Sequence, residues 1–363
     1  MGGLFRHVVD LAREQTARGH SVGIVADSNT GSPVAAETLN TLHKSIALGV
    51  TRVPMSRQIG PLDRSALAYV AQRAAETKAD VLHGHGAKGG AYARLAGGPA
   101  IRAYTPHGGS LFYSPWSPMG LFYFAVERWL RPRTDLALFE SAYAGEVFRQ
   151  FIGEPPFARV VHNGISKVEL EPVTPTADAA DFVFIGELRW RKGIDTVREA
   201  LAALSQEGWS GRAFFFGNGP DRDACLAMAE KFGLAQKVSF PGESKPRPAF
   251  QSGRLLVIPS RQESLPYIVL EAAGARMPMI TTSVGGIPEI YGPDAGALVP
   301  PGDATALLAA IKSMRAETPH DLIERLHRRV AEHFSIGTMT ESVLSAYGEA
   351  RKRRYPVNAE SSN

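Results

Sequence analysis

The chain has 363 residues, more than one ordinary core accommodates, so two domains of about 100–200 residues each are expected. Hydrophobic residues make up 44% of the chain and charged residues 21%, which excludes a disordered protein and indicates a globular one. The single cysteine, Cys225, excludes an internal disulfide framework and fits a reducing compartment, so we expect a cytoplasmic protein. No apolar run reaches the ~18 residues that a membrane span needs.

The net charge is +4, and the excess of basic residues lies in the first half of the chain. Such a mild excess is compatible with ordinary surface scatter, or with attraction to an acidic membrane surface or an anionic acceptor. No nucleic-acid partner is expected, because the sequence has neither a recognised binding motif nor a strongly basic stripe.

Strand-like and helix-like segments alternate through the first half. Leu4, Val8 and Leu11 fall on one helical face, and Gly19 ends that helix. The predicted strands are residues 21–26, 80–85, 100–105, 135–139 and 159–162. This alternation predicts βαβ units and a parallel sheet. A doubly wound domain normally opens with a buried strand, whereas this chain opens with glycines and a helix. The first strand is therefore either absent or lost through a start assigned too late.

The second half repeats the alternation. Its predicted strands are residues 181–185, 213–216, 237–240, 255–258, 279–282 and 297–299, and its predicted helices are 194–205, 221–232, 266–275 and 303–315. Residues 166–180 lack apolar periodicity and are predicted as a linker. The fold class is α/β, with a domain at 1–165 and another at 181–335, both doubly wound. Such sheets bind ligands at the carboxyl ends of their strands, and the cleft between two domains is the default site.

The segment Glu263–Glu271 follows an apolar strand and opens a helix. Its two carboxylates lie eight residues apart, about two helical turns, so both can face one cleft. A carboxylate can accept two hydrogen bonds from a vicinal diol, such as that of a ribose or a hexose. Backbone N–H groups near Tyr267 and Ile268 begin the helix and can face a phosphate. Alternatively, Glu263 is only an acid favoured at a helix start.

Two further strand ends carry complementary chemistry. Residues 186–193, which read GELRWRKG, place three cations between glycines and are suited to a phosphate, unless they form a solvated basic turn. Gly285 and Gly286 allow close backbone approach to a ligand, unless they form a plain tight turn. We interpret the coincidence of these three loops as a single binding site.

These residues resemble the retaining glycosyltransferases of family 4, also called glycosyl transferases group 1, which have the two-Rossmann GT-B architecture. The matching elements are the E-x7-E pattern of Glu263–Glu271, the G-x-L-x-x-x-K-G pattern of 186–193, the G-G-x-P-E pattern of 285–289, Gly2-Gly3, and the segments 83–86, 105–108 and 161–164. The resemblance covers roughly residues 2–335. It also implies that a helix at 336–355 crosses back to the first domain.

The resemblance implies a role for each matched residue. Glu271 would hold the ribose hydroxyls of a nucleoside-diphosphate sugar, and Glu263 would hold hydroxyls of the transferred sugar. Lys192 would neutralise the diphosphate. From the first domain, Gly3 would approach the diphosphate, and His107 would reach the sugar.

The donor-binding set implied by the resemblance extends to backbone and loop positions. Its further members are Gly186, Ser264, Leu265, Tyr267, Ile268, Gly285 and Gly286. The family commonly has arginine where this chain has Glu187, and Arg189 on the same loop is expected to supply the missing charge. We therefore predict Lys192, Glu263, His107 and Arg189 as the catalytic residues.

The predicted activity is retaining, metal-independent transfer of a sugar to a glycan or lipid-linked acceptor in cell-surface polysaccharide or glycolipid assembly. The nucleotide sugar is a co-substrate, and no cofactor is expected. Two alternatives stay open. A nucleotide-sugar 2-epimerase of the same architecture would convert its substrate without an acceptor. A non-catalytic nucleotide-sugar binding protein would show neither transfer nor donor hydrolysis.

Several other patterns suggest metal or membrane contacts. Asp221 and Asp223 spell D-x-D, but acids at a helix start are expected from the helix dipole alone. His83 and His85 face the same side of a strand, yet no neighbouring Cys, Asp or Glu completes a metal site, so we expect structural or cleft-lining histidines. Residues 119–132 are rich in aromatics beside arginines, which predicts either a buried helix or a peripheral membrane contact at the inner face.

Overall fold

The structure is a computed structural model that describes residues 2–55 and 60–356. The chain forms two compact units. The first comprises Met1–Asn163 together with Ile336–Asn363, and the second comprises Gly164–Ser335. Residues 166–180, which the sequence suggests as a linker, lie within the second unit and include a short 3-10 turn at Lys167–Leu170.

The described residues of the first unit form parallel strands in two sheets. The strands are β1 (Ile24–Asp27), β2 (Val50–Val53), β3 (Val81–His85), β4 (Ile101–Thr105), β5 (Leu136–Phe139) and β6 (Ala158–Val160). The helices before and between them are α1 (Gly3–Ala17), α2 (Pro33–His43), α3 (Leu62–Glu76), α4 (Gly86–Leu95), α5 (Pro118–Leu130) and α6 (Ala142–Phe151). β1 pairs with β2, and the other sheet has the order β3-β4-β5-β6.

The second unit contains one parallel sheet of five strands in the order β11-β10-β7-β8-β9. The strands are β7 (Ala180–Ile185), β8 (Ala213–Phe216), β9 (Val238–Gly242), β10 (Gly253–Ile258) and β11 (Met279–Thr281). The helices are α7 (Ile194–Gln206), α8 (Arg222–Lys231), α9 (Pro246–Gln251), α10 (Tyr267–Gly274), α11 (Ile287–Tyr291), α12 (Ala304–Ala316) and α13 (His320–His333).

Side chains of the central strand β7 pack alternately into two cores. Phe182 and Phe184 belong to the core that contains buried residues of α7 and α12. Val183, between them, belongs to the core that contains buried residues of α10 and α13. Because successive side chains of a strand point to opposite faces, helices cover both faces of this sheet. The second unit is therefore a doubly wound, Rossmann-like domain.

The last described helix, α14 (Ile336–Arg354), belongs to the first unit. Met339, Val343 and Ala346 of α14 pack in one core with Leu11 of α1 and Leu138 of β5. At the end of this helix, the Arg354 guanidinium pairs with Asp135, which also accepts two hydrogen bonds of 2.9 Å from the Arg102 guanidinium. The C-terminal segment thus completes the core of the first unit.

Side-chain caps fix where several helices begin. Ser32, Ser117, Ser141 and Asp303 each accept a hydrogen bond from the backbone N–H three residues on, at the starts of α2, α5, α6 and α12. Each cap satisfies one N–H that has no partner within the helix, and such caps typically contribute about 1 kcal/mol. Within the described residues, no helix combines the length and apolar character that crossing a membrane requires.

Candidate active site

Three loops of the second unit leave the carboxyl ends of neighbouring strands. We call residues 186–193, after β7, the lysine loop; residues 259–266, after β10, the glutamate loop; and residues 282–286, after β11, the double-glycine loop. Because β11, β10 and β7 are adjacent and parallel, these loops lie side by side on one edge of the sheet. This edge is where parallel sheets bind ligands.

The lysine loop is attached directly to the glutamate loop. The backbone N–H of Arg261 donates to the carbonyl oxygen of Arg191 at 2.8 Å. Gly193 has φ +69°, and a Cβ built there would lie 1.8 Å from the carbonyl oxygen of Pro259. Only glycine allows that approach, so the contact fixes the position of the neighbouring Lys192.

The double-glycine loop is attached to the other side of the glutamate loop. The backbone N–H of Gly286 donates to the carbonyl oxygen of Ser264 at 2.6 Å. Gly285 has φ +58°, and a Cβ there would lie 1.8 Å from the carbonyl oxygen of Glu263. The two glycines therefore serve close loop packing, which holds the backbone at Glu263 and Ser264.

Lys192 and Glu263 meet at the centre of these loops. The Lys192 ammonium lies 2.6 Å from Oε1 of Glu263, and the hydroxyl of Ser260 donates to the same oxygen at 2.7 Å. The Glu263 side chain is only 9% exposed, whereas that of Lys192 is 29% exposed. An ammonium carries three N–H donors, so this pairing leaves capacity for an anionic ligand.

Glu271 lies on α10 and is 8% exposed. It lies on the helix that follows the glutamate loop, beside the buried apolar residues Leu270 and Ala272. Leu265 and Tyr267 pack with their side chains in the core beside α10. Any contact that these two residues make with a ligand would therefore come from their backbones.

Arg189 forms an ion pair within the lysine loop itself. Its guanidinium lies 3.2 Å from Glu187, and the two side chains are 33% and 48% exposed. The glutamate at the position where the family commonly has arginine thus faces the arginine expected to replace it. Exposed pairs of this kind are worth only about 0–1 kcal/mol, so a phosphate can displace Glu187 from Arg189.

A fourth loop, after β8, supports the lysine loop from its other side. The backbone N–H of Leu188 donates to the carbonyl oxygen of Asn218 at 3.0 Å. A Cβ at Gly217 would lie 1.9 Å from the carbonyl oxygen of Gly186, and one at Gly219 would lie 2.2 Å from that of Leu188. No role was predicted for the G-x-G pattern of Gly217 and Gly219. The two glycines directly after a strand were the feature from which this loop contact could have been predicted.

Of the two predicted site residues of the first unit, Gly3 and His107, the latter lies in a cluster of histidines. His107 follows β4 and adopts φ +54°, and its Nε2 lies 3.0 Å from Nδ1 of His85 at the end of β3. His7 on α1 contacts both rings, and its Nδ1 lies 3.0 Å from Oδ1 of Asn163. His7 and Asn163 were missed as members, because α1 and residue 163 come together only in the fold. Gly3 is the first residue of α1.

Burial determines the charge state of the histidine cluster. It lowers the pKa of His7 to about 4 and that of His83 to about 3, and it holds the pKa values of His85 and His107 well below their ordinary value. These rings are therefore neutral near pH 7, because desolvation penalises the imidazolium form. His83 is held by the Tyr347 hydroxyl at 2.7 Å and the Thr105 hydroxyl at 2.8 Å.

Comparison with known proteins identifies the family. A model of glycosyl transferases group 1 matches residues 179–317, and a model of glycosyltransferase family 4 matches residues 1–167. The chain belongs to the group 1 glycosyltransferases of family 4. The chain is similar to the structure of Anabaena HepE in complex with UDP and glucose. The structural alignment covers 96% of this chain and 96% of HepE, with a TM-score of 0.78 at 18% identity. That likeness confirms the predicted GT-B fold class of two Rossmann-like domains.

Curated relatives match a smaller share of the chain. The putative glycosyltransferase EpsD of Bacillus subtilis is 29% identical over 295 residues, which cover 74% of this chain and 76% of EpsD. Glycogen synthase of Mycobacterium tuberculosis is 26% identical over 198 residues, which cover 52% of this chain and 48% of the synthase. The chain thus spans about half the length of several relatives that it matches.

Proposed function

We propose that this protein is a retaining, metal-independent glycosyltransferase that moves a sugar from a nucleoside-diphosphate sugar to a glycan or lipid-linked acceptor. The observation that carries the proposal is the convergence of three strand-end loops on Lys192 and Glu263, with Glu271 on the adjoining helix. The site combines a cation for a phosphate, two carboxylates for hydroxyl groups, and glycines at close loop contacts.

The roles follow from the chemistry of each side chain. Glu271 accepts hydrogen bonds from the two ribose hydroxyls, and Glu263 accepts them from hydroxyls of the sugar. Lys192, assisted by Arg189, contacts the diphosphate. Tyr267 and Ile268 are the first two residues of α10, and backbone N–H groups at a helix start can bind a phosphate oxygen. His107 contributes a neutral ring nitrogen to a sugar hydroxyl.

The mechanism depends on the charge that develops on the leaving group. As the bond between the anomeric carbon and the phosphate oxygen breaks, its electron pair passes to the nucleoside diphosphate. The acceptor hydroxyl oxygen bonds to the same face of the anomeric carbon, and its proton passes to the departing phosphate. Lys192 and the N–H groups of α10 stabilise that diphosphate, which lowers the barrier. Retention of configuration follows without a protein nucleophile.

The relatives suggest which substrates to test first. HepE was crystallised with UDP and glucose, which supports a UDP-sugar as donor. The name of the related glycogen synthase supports a glycan acceptor and a role in polysaccharide assembly. A thermal-shift panel of UDP-, GDP- and ADP-sugars is the first experiment, because a ligand that binds only the folded state raises the melting temperature. The product of transfer is then examined by NMR for retained anomeric configuration.

The same assays separate the alternative functions. Conversion of the bound donor to its 2-epimer without an acceptor would identify an epimerase. A melting-temperature increase with neither transfer nor donor hydrolysis would identify a binding protein. No stabilisation by any nucleotide sugar would remove the assignment of the site.

We also propose that the protein acts in the cytoplasm as a peripheral protein at the inner face of the membrane. Residues 119–132 include most of α5, and only one side of this helix is buried. Phe124 and Leu130 are buried, whereas Leu121, Phe122 and Trp129 are 46–55% exposed, and Trp116 just before the helix is 87% exposed. Exposed aromatic and aliphatic side chains grouped in this way are typical of interfacial contact.

Cations accompany this exposed surface. The Arg133 guanidinium stacks over the Trp129 ring at 4.3 Å, and Arg128 lies on the same helix. Co-sedimentation with liposomes containing anionic lipid at low salt is expected for the wild type and reduced for Phe122→Asp. Val168→Ser, which removes an exposed apolar side chain of the second unit, serves as the control. Equal sedimentation of both variants, or none for the wild type, contradicts the membrane proposal.

A further inference from the structure

The histidine cluster of the first unit has a geometry suited to metal coordination. We propose that His7, His85 and His107 form a binding site for one late first-row divalent cation, with Zn²⁺ as the preferred ion. One ring nitrogen from each histidine lies within 4.8 Å of the others. Of the His83 and His85 pair, for which sequence spacing offered no completing ligand, only His85 belongs to this set. The cation proposed here is not a catalytic cofactor.

The spacing of the nitrogens is close to that of a zinc site. Nitrogens bound to tetrahedral Zn²⁺ at about 2.0–2.1 Å lie about 3.3 Å from one another. His85 Nδ1 and His107 Nε2 are already 3.0 Å apart. The 4.8 Å limit on the separation of the three nitrogens exceeds the zinc spacing by about 1.5 Å, so the rings must move closer by up to that distance when a cation binds. A fourth position remains for water or another ligand, as in three-histidine zinc sites.

The hydrogen bond between His7 and Asn163 prepares one ligand. Nδ1 of His7 lies 3.0 Å from Oδ1 of Asn163, and both residues are buried. A carbonyl oxygen only accepts, so Nδ1 of His7 carries the hydrogen and Nε2 carries the lone pair. Metal-bound histidines typically donate their second nitrogen to such an acceptor, which fixes the tautomer and the ring orientation. Asn163 is therefore a positioning residue for this site.

The chemistry of the cluster selects the kind of cation. In the described part of the chain, the group consists of histidines alone. Imidazole nitrogens suit Zn²⁺, Co²⁺ and Ni²⁺, whereas Mg²⁺ and Ca²⁺ prefer oxygen ligands. His85 and His107 are half-buried, which gives a cation a route from solvent.

The first experiment measures binding without reference to catalysis. Protein stripped with a chelator is titrated with Co²⁺, and the visible absorption of tetrahedral cobalt reports occupancy, followed by displacement with Zn²⁺. We expect one equivalent per chain. His7→Ala and His85→Ala are each expected to weaken binding at least about tenfold, in line with the loss of a ligand or its partner. His20→Ala, which removes an exposed histidine that follows α1, is the matched control.

A second measurement covers variants that fold poorly. His107→Asn keeps a polar side chain of similar reach, and circular dichroism verifies its fold. Because the three ligands come from α1, β3 and the segment after β4, Zn²⁺ is expected to raise the melting temperature of the wild type but not of this variant. No binding by the wild type, or equal binding by wild type, His7→Ala and His85→Ala, overturns the proposal.

A separate consequence rests on the proposed function. If His107 contacts the sugar, Zn²⁺ bound to His107 competes with the donor, so Zn²⁺ should inhibit transfer and EDTA should reverse the inhibition. Cobalt binding without such inhibition would leave the metal site intact and remove the sugar contact of His107. Absence of any transfer activity would count against the proposed function alone, since the absorption titration decides the metal site by itself.

Discussion

The Lys192 ammonium and the Glu263 carboxylate lie 2.6 Å apart although the residues are 71 positions apart in the chain. They come from the lysine loop and the glutamate loop, which are joined by the hydrogen bond from Arg261 to Arg191. The pair holds a cation suited to phosphate beside an acid suited to sugar hydroxyls. A nucleotide sugar presents these two groups next to each other, so disrupting either partner should impair donor use.

Lys192→Ala is expected to lower sugar transfer at least tenfold, equivalent to about 1.4 kcal/mol or more of transition-state stabilisation. In the proposed mechanism Lys192 contacts the leaving diphosphate, and alanine would remove that cation. The measurement is kcat/KM with the donor identified in the thermal-shift panel. Lys312→Ala is the control, because Lys312 forms an exposed pair with Glu207 in the same unit. Near wild-type transfer by Lys192→Ala would remove the phosphate role of this residue.

Glu271→Ala is also expected to lower transfer at least tenfold, or by about 1.4 kcal/mol, because the ribose hydroxyls lose their acceptor. The same variant should lose most of the melting-temperature increase that the donor produces in the wild type. Glu230→Ala, which changes an exposed glutamate of α8, should keep both properties. An undiminished donor shift in Glu271→Ala would place the ribose elsewhere.

Gly193→Ala is expected to destabilise the protein by more than Gly208→Ala. Both glycines have positive φ, so alanine at either costs about 1 kcal/mol of backbone strain. Only Gly193 also meets a carbonyl oxygen, that of Pro259, which adds about 1–3 kcal/mol of overpacking. Around Gly208, no described atom lies within 4 Å of the added Cβ. Melting temperatures of the two variants measure the difference, and equal values would contradict the loop contact.

Asp135 is expected to contribute an acid-sensitive part of the stability of the first unit. Burial alone would raise the pKa of its carboxyl, but hydrogen bonds and charge from Arg102 and charge from Arg354 outweigh burial and lower that pKa. A carboxyl with a lowered folded pKa stabilises above its unfolded value of about 3.9, and that contribution is lost as pH falls through the folded pKa. The melting temperature should therefore fall less steeply below pH 4 in Asp135→Asn than in the wild type.

A matched control for the acid effect is Asp80→Asn. Asp80 pairs with Arg351 at 3.4 Å, but the two side chains are 76% and 67% exposed, so the pair contributes little. Its variant should follow the wild-type acid profile. Identical profiles for Asp135→Asn and the wild type would show that the carboxyl titrates alike in the folded and unfolded chains.

EDTA is expected to leave sugar transfer unchanged when no cation has been added. The D-x-D acids occupy the start of α8, with Asp221 at the N-cap and Asp223 in the first turn, where the helix dipole favours them. Transfer is measured in three samples: untreated protein, protein with EDTA, and protein with EDTA followed by excess Mg²⁺. If EDTA abolished transfer and Mg²⁺ restored it, the reaction would require a metal ion and the metal-independent mechanism would be wrong.

The sequence predicted the elements of the second unit well, because they have strong local patterns. Strand β8 at Ala213–Phe216 has the predicted bounds, and α7, α10 and α12 begin and end within one residue of theirs. Residues 297–299 were predicted as a strand, but only Val299 forms an isolated bridge, to Thr282. Strand β2 at Val50–Val53 was missed, since four residues that include Arg52 are too few for a periodicity.

Motif spacing singled out Lys192, Glu263 and Glu271, because each follows a predicted strand or lies in the helix after it. The structure brings Lys192 and Glu263 into contact, and the roles of all three residues stay predictions. The carbonyl contacts of Gly193 and Gly285 depend on pairings across about 20 to 70 residues, which local patterns do not encode. The histidine cluster could not be predicted for the same reason, because His7 and Asn163 are 156 positions apart in the chain.

The return of α14 to the first unit has a consequence for synthesis. The second unit is continuous in the chain, from Gly164 to Ser335, whereas the first is completed only by residues after 335. During synthesis, the second unit can therefore finish folding before the apolar face of α14 is available to pack against Leu11 and Leu138. The first unit would expose the apolar surface that α14 covers until that helix has been synthesised, and such surface makes a nascent chain prone to aggregation.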